Sequence, residues 1–188
     1  MKLKKYLFLK KNRYDYEKYS LIPIRIMDSR KIRNWRNDQI KFLRQNVPIS
    51  NSKQNLYFQK VIKPTFDKSK PKLILFSYLH NSHLIGYGGF VNIDWKNKIA
   101  ELSFLIETSR SKKVIYNHDF TIFLKLIKNI ACSELKFHEL YTETYDIRPS
   151  HIQTLEKNNF KLNTKIIGGK IIDEKPIDLL FHSYICDT

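Results

Sequence analysis

Leu84-Ile85-Gly86-Tyr87-Gly88-Gly89-Phe90-Val91-Asn92-Ile93-Asp94 is the most informative run in the chain. Its aliphatic and aromatic residues read as a strand over residues 83–91, with three glycines inside it. A phosphate-cradling loop would place such glycines between a strand and a helix. Inside a strand they point instead to a bulge or a close approach of backbone. The polar turn His80-Asn81-Ser82 joins this strand to an earlier one, residues 73–79, and another follows at residues 100–106. Three strands in succession are not the alternating pattern of a parallel βαβ sheet.

Upstream, residues 19–26 read as a first strand. Asp28 then caps a helix that puts Ile32, Trp35, Ile40 and Leu43 on one face. A second helix starts after Ser50 and stops before Pro64, with Leu56, Val61 and Ile62 inward. Downstream, residues 117–134 form the clearest helix: Phe120, Phe123, Leu124, Ile127, Ile130 and Ala131 keep helical spacing, Asn117 caps it, and Asp119 suits its first turn. A strand at residues 140–145 precedes a helix with Pro149 at its first position and Asn159 in a glycine-like terminal slot. Residues 161–172 and 177–185 close the chain as a hairpin around Asp173-Glu174-Lys175-Pro176. With no repeat and no Gly/Ser linker, residues 1–188 read as one α/β domain, of which 1–18 are a basic N-terminal extension.

A hydrophobic fraction of 42% suits a packed core, and no apolar run is long enough to span a bilayer. The apolar stretch Tyr6-Leu7-Phe8-Leu9 is too short for a secretory signal, so the cytoplasm is the expected location. Cys132 and Cys186 form neither a disulfide framework nor a metal-ligand spacing, and a reduced compartment is consistent with both. The net charge of +16 invites a nucleic-acid reading. The basic residues are dispersed and interrupted by apolar ones, and no RNA-binding signature is present, so a solvated surface is expected and nucleic acid is not. An RNA- or ribosome-associated module is the rival class. An anionic substrate or cofactor would also benefit from this field.

The order strand, two helices, three strands, helix, strand, helix, two strands resembles that of the GNAT acyltransferase superfamily. The quoted run followed by Ala100-Glu101-Leu102-Ser103-Phe104-Leu105-Ile106 resembles the family's central strands, and Leu155-Glu156-Lys157-Asn158-Asn159-Phe160 ends as its last helix does. Ile32-Arg33-Asn34-Trp35-Arg36-Asn37 is similar to a branch that acetylates amino-sugar nucleotides. The closing hairpin, with Asp178, is similar to the branch that includes ribosomal-protein N-terminal acetyltransferases. The resemblance implies a mixed, mostly antiparallel sheet flanked by helices, acetyl-coenzyme A as co-substrate, no metal, and a small-molecule amine acceptor such as a nucleotide-linked sugar. A protein N-terminus is the alternative acceptor, and monomer or homodimer is left open. Three positions depart from the family pattern. Its glycine-rich pyrophosphate loop is replaced by Arg110-Ser111-Lys112-Lys113-Val114-Ile115, Arg148 stands where an asparagine often opens the last helix, and Leu155 replaces a tyrosine.

Acyl transfer to an amine needs a base, an oriented thioester, an oxyanion donor and a proton for the leaving thiolate. The resemblance places a carboxylate base at Glu101 and a second carboxylate at Glu143; each could instead be a strand carboxylate in an ion pair. Tyr145 and His151 are the candidate acids, with core packing or helix capping as their alternative roles. The coenzyme's pyrophosphate is expected on free amides at the start of the long helix, near Tyr116 and Asn117, with charge from Arg110, Lys112 and Lys113. Leu105 and Ile106 are expected to pair their backbone with the pantetheine. On the acceptor side Trp35 would be an aromatic platform and Arg36 an anion clamp, unless Trp35 is core. Neither cysteine falls in these segments, so direct transfer without a covalent enzyme intermediate is expected. His80 and His83 lack a third ligand and read as structural.

Overall fold

A computed structural model describes residues 5–186; residues 1–4, part of the expected N-terminal extension, and residues 187–188 lie outside the described residues. Eight strands form one sheet in the order β1-β2-β3-β4-β5-β6-β8-β7. They are β1 (Tyr14–Tyr16), β2 (Tyr19–Pro23), β3 (Ile74–His80), β4 (His83–Asp94), β5 (Ile99–Ile106), β6 (Glu139–Tyr145), β7 (Lys161–Ile172) and β8 (Lys175–Ile185). Every neighbouring pair is antiparallel except β5 with β6. The helices are α1 (Ser29–Asp38), α2 (Asn51–Tyr57), α3 (Lys113–Asn129) and α4 (Pro149–Lys157).

The two hairpin turns follow from their residues. Asn81 and Ser82, and again Asp173 and Glu174, take positive φ angles in pairs, as a two-residue turn between right-twisted strands requires. Asn159, at φ 66°, takes the expected left-handed slot after α4. The glycines of β4 are there for close backbone approach: a Cβ on Gly88 would sit 2.3 Å from the Ser103 carbonyl oxygen, and Gly89, at φ 147°, would put one 2.1 Å from that of Ile74. Helix α3 lies on the sheet through Phe120 and Phe123, whose rings stand 4.5 Å from that of Phe104 on β5.

Several elements differ from the sequence expectations. The basic extension carries β1, and Tyr6 and Leu9 are buried in the core, with Tyr6 stacked on Phe66. The first strand proper stops at Pro23. Asp28 precedes α1 without capping it, because its carboxylate is taken by Arg25 and by the Ser77 hydroxyl. Ser50 does cap α2, but the next turn widens to a π-helix over Phe58–Ile62, which rotates Phe58 inward beside Ile62 and leaves Leu56 and Val61 exposed. Helix α3 starts at Lys113, so Asn117 lies in its second turn and does not cap it. Cys132 and Cys186 are joined in a disulfide, with Cα atoms 5.4 Å apart. The bridge is invisible in their spacing of 54 residues. It arises because β8 leaves the sheet next to the segment entering β6, where the Cys186 amide donates to the His138 carbonyl.

Candidate active site

Strands β5 and β6 run parallel for only three rungs, from Ile99 opposite Glu139 to Glu101 opposite Tyr141, and then diverge. Beyond that point β5 has a free edge. The Glu107 amide donates to the Ile85 carbonyl, so by antiparallel alternation Leu105, Ser103 and Glu101 direct their backbone groups toward β4. The groups facing the gap are therefore those of Leu102, Phe104 and Ile106. This corrects the expected role of Leu105. The Ile106 carbonyl is itself engaged, accepting from the Gln39 side chain at 2.8 Å.

A cavity of about 80 Å³ occupies the mouth of the gap, and all four candidate catalytic residues line it: Glu101, Glu143, Tyr145 and His151. Glu101 is 4% exposed at the last paired rung. Its Oε2 accepts from the Asn92 amide at 2.6 Å and its Oε1 from Nη2 of Arg44. Arg44 reaches Glu143 with Nη1 at 3.2 Å, so one guanidinium bridges both carboxylates. Partial burial opposes that charge, but Glu101 and then Glu143 outweigh it and hold the Arg44 pKa above its ordinary value.

Tyr145, at the end of β6, is buried but lies outside the core cluster. Burial, and then Glu143, raise its pKa, so its hydroxyl keeps its proton at neutral pH. His151 sits in the first turn of α4, with its ring stacked 4.5 Å from Phe120. Arg148 donates to the Tyr116 hydroxyl at 2.9 Å, and that hydroxyl lies 2.7 Å from Nδ1 of His151. Burial, then Arg148, then His182 push the His151 pKa well below 6.5, so the ring is neutral at physiological pH. Of the two candidate acids, His151 is held in its neutral form and Tyr145 in its protonated form.

A larger cleft of about 660 Å³ adjoins this cavity and shares Leu43, Arg44 and Ser103 with it. Arg36 lines the cleft, donating to the Tyr87 hydroxyl at 2.8 Å and to Gln45. Trp35 does not line it. It is 6% exposed, packed in the core as the inner face of α1, and is no open platform.

The sequence matches the Acetyltransferase (GNAT) domain family over residues 22–180. The chain belongs to the GNAT acetyltransferase family. No curated protein matches the sequence. Among solved structures, spermidine N-acetyltransferase from Vibrio cholerae, in complex with coenzyme A and spermine, has a TM-score of 0.77 at 16% identity, covering 91% of this chain and 97% of that one. RimL, a ribosomal L7/L12 alpha-N-protein acetyltransferase in complex with coenzyme A, has a TM-score of 0.74 at 10% identity, covering 93% and 98%. At such identities the likeness is one of fold, and the sheet and helices described above match it.

The GNAT family uses acetyl-coenzyme A, and the start of α3 is where this chain can be tested for that fit. Lys112 is the N-cap and offers no side-chain acceptor, so the first-turn amides of Lys113, Val114 and Ile115 are available to a ligand. The expected amides at Tyr116 and Asn117 lie one turn too deep: Tyr116 is buried and already donates to the Lys112 carbonyl. The Asn117 side chain accepts from Thr154 on α4. Arg110 is also committed, with two hydrogen bonds to the buried Asp119 at 2.7 and 3.0 Å that raise its pKa. That leaves the exposed Lys112 and Lys113 as the cations beside the free amides. His80 packs 4.5 Å from the Tyr19 ring and His83 lies 2.9 Å from the Asn81 carbonyl. No group of three metal-ligating side chains occurs among the described residues.

Sequence reasoning missed Arg44 and Asn92 as parts of the site, and it brought in Tyr116 for its amide rather than for the hydroxyl that stands beside His151. Arg44 lies in an irregular segment between the turn Ile40–Phe42 and α2, where no periodicity assigns a direction to a side chain.

Proposed function

We propose that this GNAT protein transfers the acetyl group of acetyl-coenzyme A to the primary amine of a small anionic acceptor, of the class of the amino-sugar nucleotides. One observation carries the acceptor class: Arg36, Arg44, Lys53 and Lys72 line the larger cleft, and no carboxylate does so among the described residues. A polyamine would meet four like charges there, whereas a phosphate would meet partners suited to it. Tyr57 and Tyr87 on the same walls suit a ring such as a base or a sugar.

Acetyl-coenzyme A supplies an acyl group activated as a thioester. The open edge of β5 at Leu102 and Phe104 suits the amide-bearing arm of the donor, and its backbone N–H groups suit the developing oxyanion. The amides of Lys113, Val114 and Ile115, with Lys112 and Lys113, suit the pyrophosphate. Glu101 takes a proton from the acceptor ammonium, directly or through water. The freed nitrogen forms its bond to the acyl carbon as the carbon–sulfur bond breaks, the acylated nitrogen loses its second proton to water, and Tyr145 gives its own proton to the departing thiolate. Tyr145 regains a proton from solvent, and the one taken by Glu101 leaves. A thiol needs only a modest acid, its ordinary pKa being about 8.5.

The test is acetylation of a matched panel: a nucleotide-linked amino sugar, spermidine and a basic peptide, each with acetyl-coenzyme A. The nucleotide-linked sugar is expected to have the highest kcat/KM. A preference for spermidine or for the peptide would overturn the anionic acceptor, and a failure to bind acetyl-coenzyme A at millimolar concentration would overturn the enzymatic reading.

A further inference from the structure

Arg44 is the only residue that both touches the two active-site carboxylates and lines both cavities among the described residues. Its guanidinium stands where an acceptor ammonium must stand for Glu101 to take its proton. The partners differ in freedom. The Glu101 side chain is 5% exposed and pinned by Asn92, whereas that of Arg44 is 52% exposed and hangs from an irregular segment. Any movement that separates them is therefore a movement of the arginine.

It cannot leave alone. Removing it would strand a buried carboxylate beside a second one, which is strongly unfavourable. An incoming cation removes that obstacle by taking its place, and the vacated guanidinium then faces a cleft whose other charges are all positive. It is stable there once an anion has arrived.

We propose that Arg44 is a stand-in for the acceptor: it neutralises Glu101 and Glu143 until the acceptor's ammonium displaces it, and then swings into the larger cleft to pair with the acceptor's anionic group. The inference rests on the proposed acetyl transfer and adds a selection rule to it. The preferred acceptor carries an ammonium and an anion together, because each half of the exchange stabilises the other. A plain amine must expel the arginine with nothing to receive it, and a plain anion offers nothing to replace it on the carboxylates. Arg44 acts on the reaction by positioning charge; Glu101 remains the proton acceptor.

The matched probes are glucosamine 1-phosphate, glucosamine and inorganic phosphate. The ¹⁵N–¹H signal of the Arg44 Nε, followed in the full chain, is expected to shift saturably with glucosamine 1-phosphate, at concentrations about tenfold or more below those needed for glucosamine. Inorganic phosphate alone is expected to leave it in place. In kinetics, Arg44→Met should lower the KM for glucosamine by about two- to fivefold, the scale of a partly exposed ion pair that no longer competes. The same variant should cut kcat/KM for glucosamine 1-phosphate by about tenfold or more, the scale of a lost charge-assisted contact. Arg44→Lys, which keeps the charge but not the bridge, should fall between the two. A merely structural arginine would give parallel losses on both amines, and that result would overturn the proposal. So would an Arg44 signal that phosphate alone displaces, or one that no probe moves. If the wild-type chain acetylated no amine, the enzymatic reading would fall, and the Arg44 signal would still decide the exchange, including where Arg44→Met fails to fold.

Discussion

His151 makes the stability of the protein depend on acidity through one side chain. Its folded pKa lies well below 6.5, chiefly because of burial and then Arg148, so the unfolded chain binds more protons wherever the pH is below about 6.5. The stability that comes from keeping the ring neutral is therefore fully present above that pH. It is lost as the pH falls toward the folded pKa, at a limiting rate of about 1.4 kcal/mol per pH unit. His182, also depressed by burial, adds to the same slope. Urea unfolding measured between pH 7 and pH 5 is expected to show this loss, and His151→Asn, which keeps a polar partner for Tyr116 but does not titrate, is expected to flatten it. An unchanged slope in the variant would mean that His151 titrates normally. Which residues meet at the cavity was partly legible. The resemblance to the family brought Glu101 and Glu143 into view, and Tyr145 followed as the residue that ends the strand beside the cleft. What no pattern could show was that Arg44 would reach both carboxylates, since that contact closes over separations of 57 and 99 residues.

The first turn of α3 offers free amides where a glycine-rich loop would offer close approach. With no glycine between Gly89 and Gly168, the loop before the helix lacks the residue that most readily adopts positive φ. In the proposed function, anion binding there would rest on three amides and two lysines. Replacing Lys112 and Lys113 together with alanine is expected to weaken acetyl-coenzyme A binding by about tenfold or more, as measured by calorimetric titration. The loss should shrink with added salt, because exposed charges are screened over about 8 Å at physiological ionic strength. Wild-type affinity in the double variant would show these lysines to be ordinary surface charge. The sequence placed the start of this helix four residues late, and for a physical reason. Val114 and Ile115 are apolar yet point into solvent, 81% and 40% exposed, so the hydrophobic pattern does not begin until the helix is one turn old. The order of strands survived such boundary errors because it depends on runs of apolar residues and on turns, whose chemistry is local. The disulfide did not, because it depends on where β8 ends in space.

Across the whole molecule, the bond between Cys132 and Cys186 ties the end of α3 to the last strand. Closing a loop of this length restricts the unfolded chain, with a typical effect of about 2–4 kcal/mol. Replacing both cysteines with serine is expected to lower the urea midpoint accordingly while leaving acetyl-coenzyme A binding as it was, since neither residue lines the cavities. A midpoint unchanged by the replacement, or by a reductant, would show that the bridge does not hold the fold. No helix among the described residues is long and apolar enough to cross a membrane. The parting of β5 from β6 bears on the molecule as a whole. After three rungs the sheet is left with an unfilled edge through its middle, so the proposed donor, lying in the gap, would complete the fold as well as the reaction. At a hundredfold excess over its Kd such a ligand adds about 2.7 kcal/mol against unfolding. Under the proposed function, resistance of the protein to proteases would then follow the supply of its own donor.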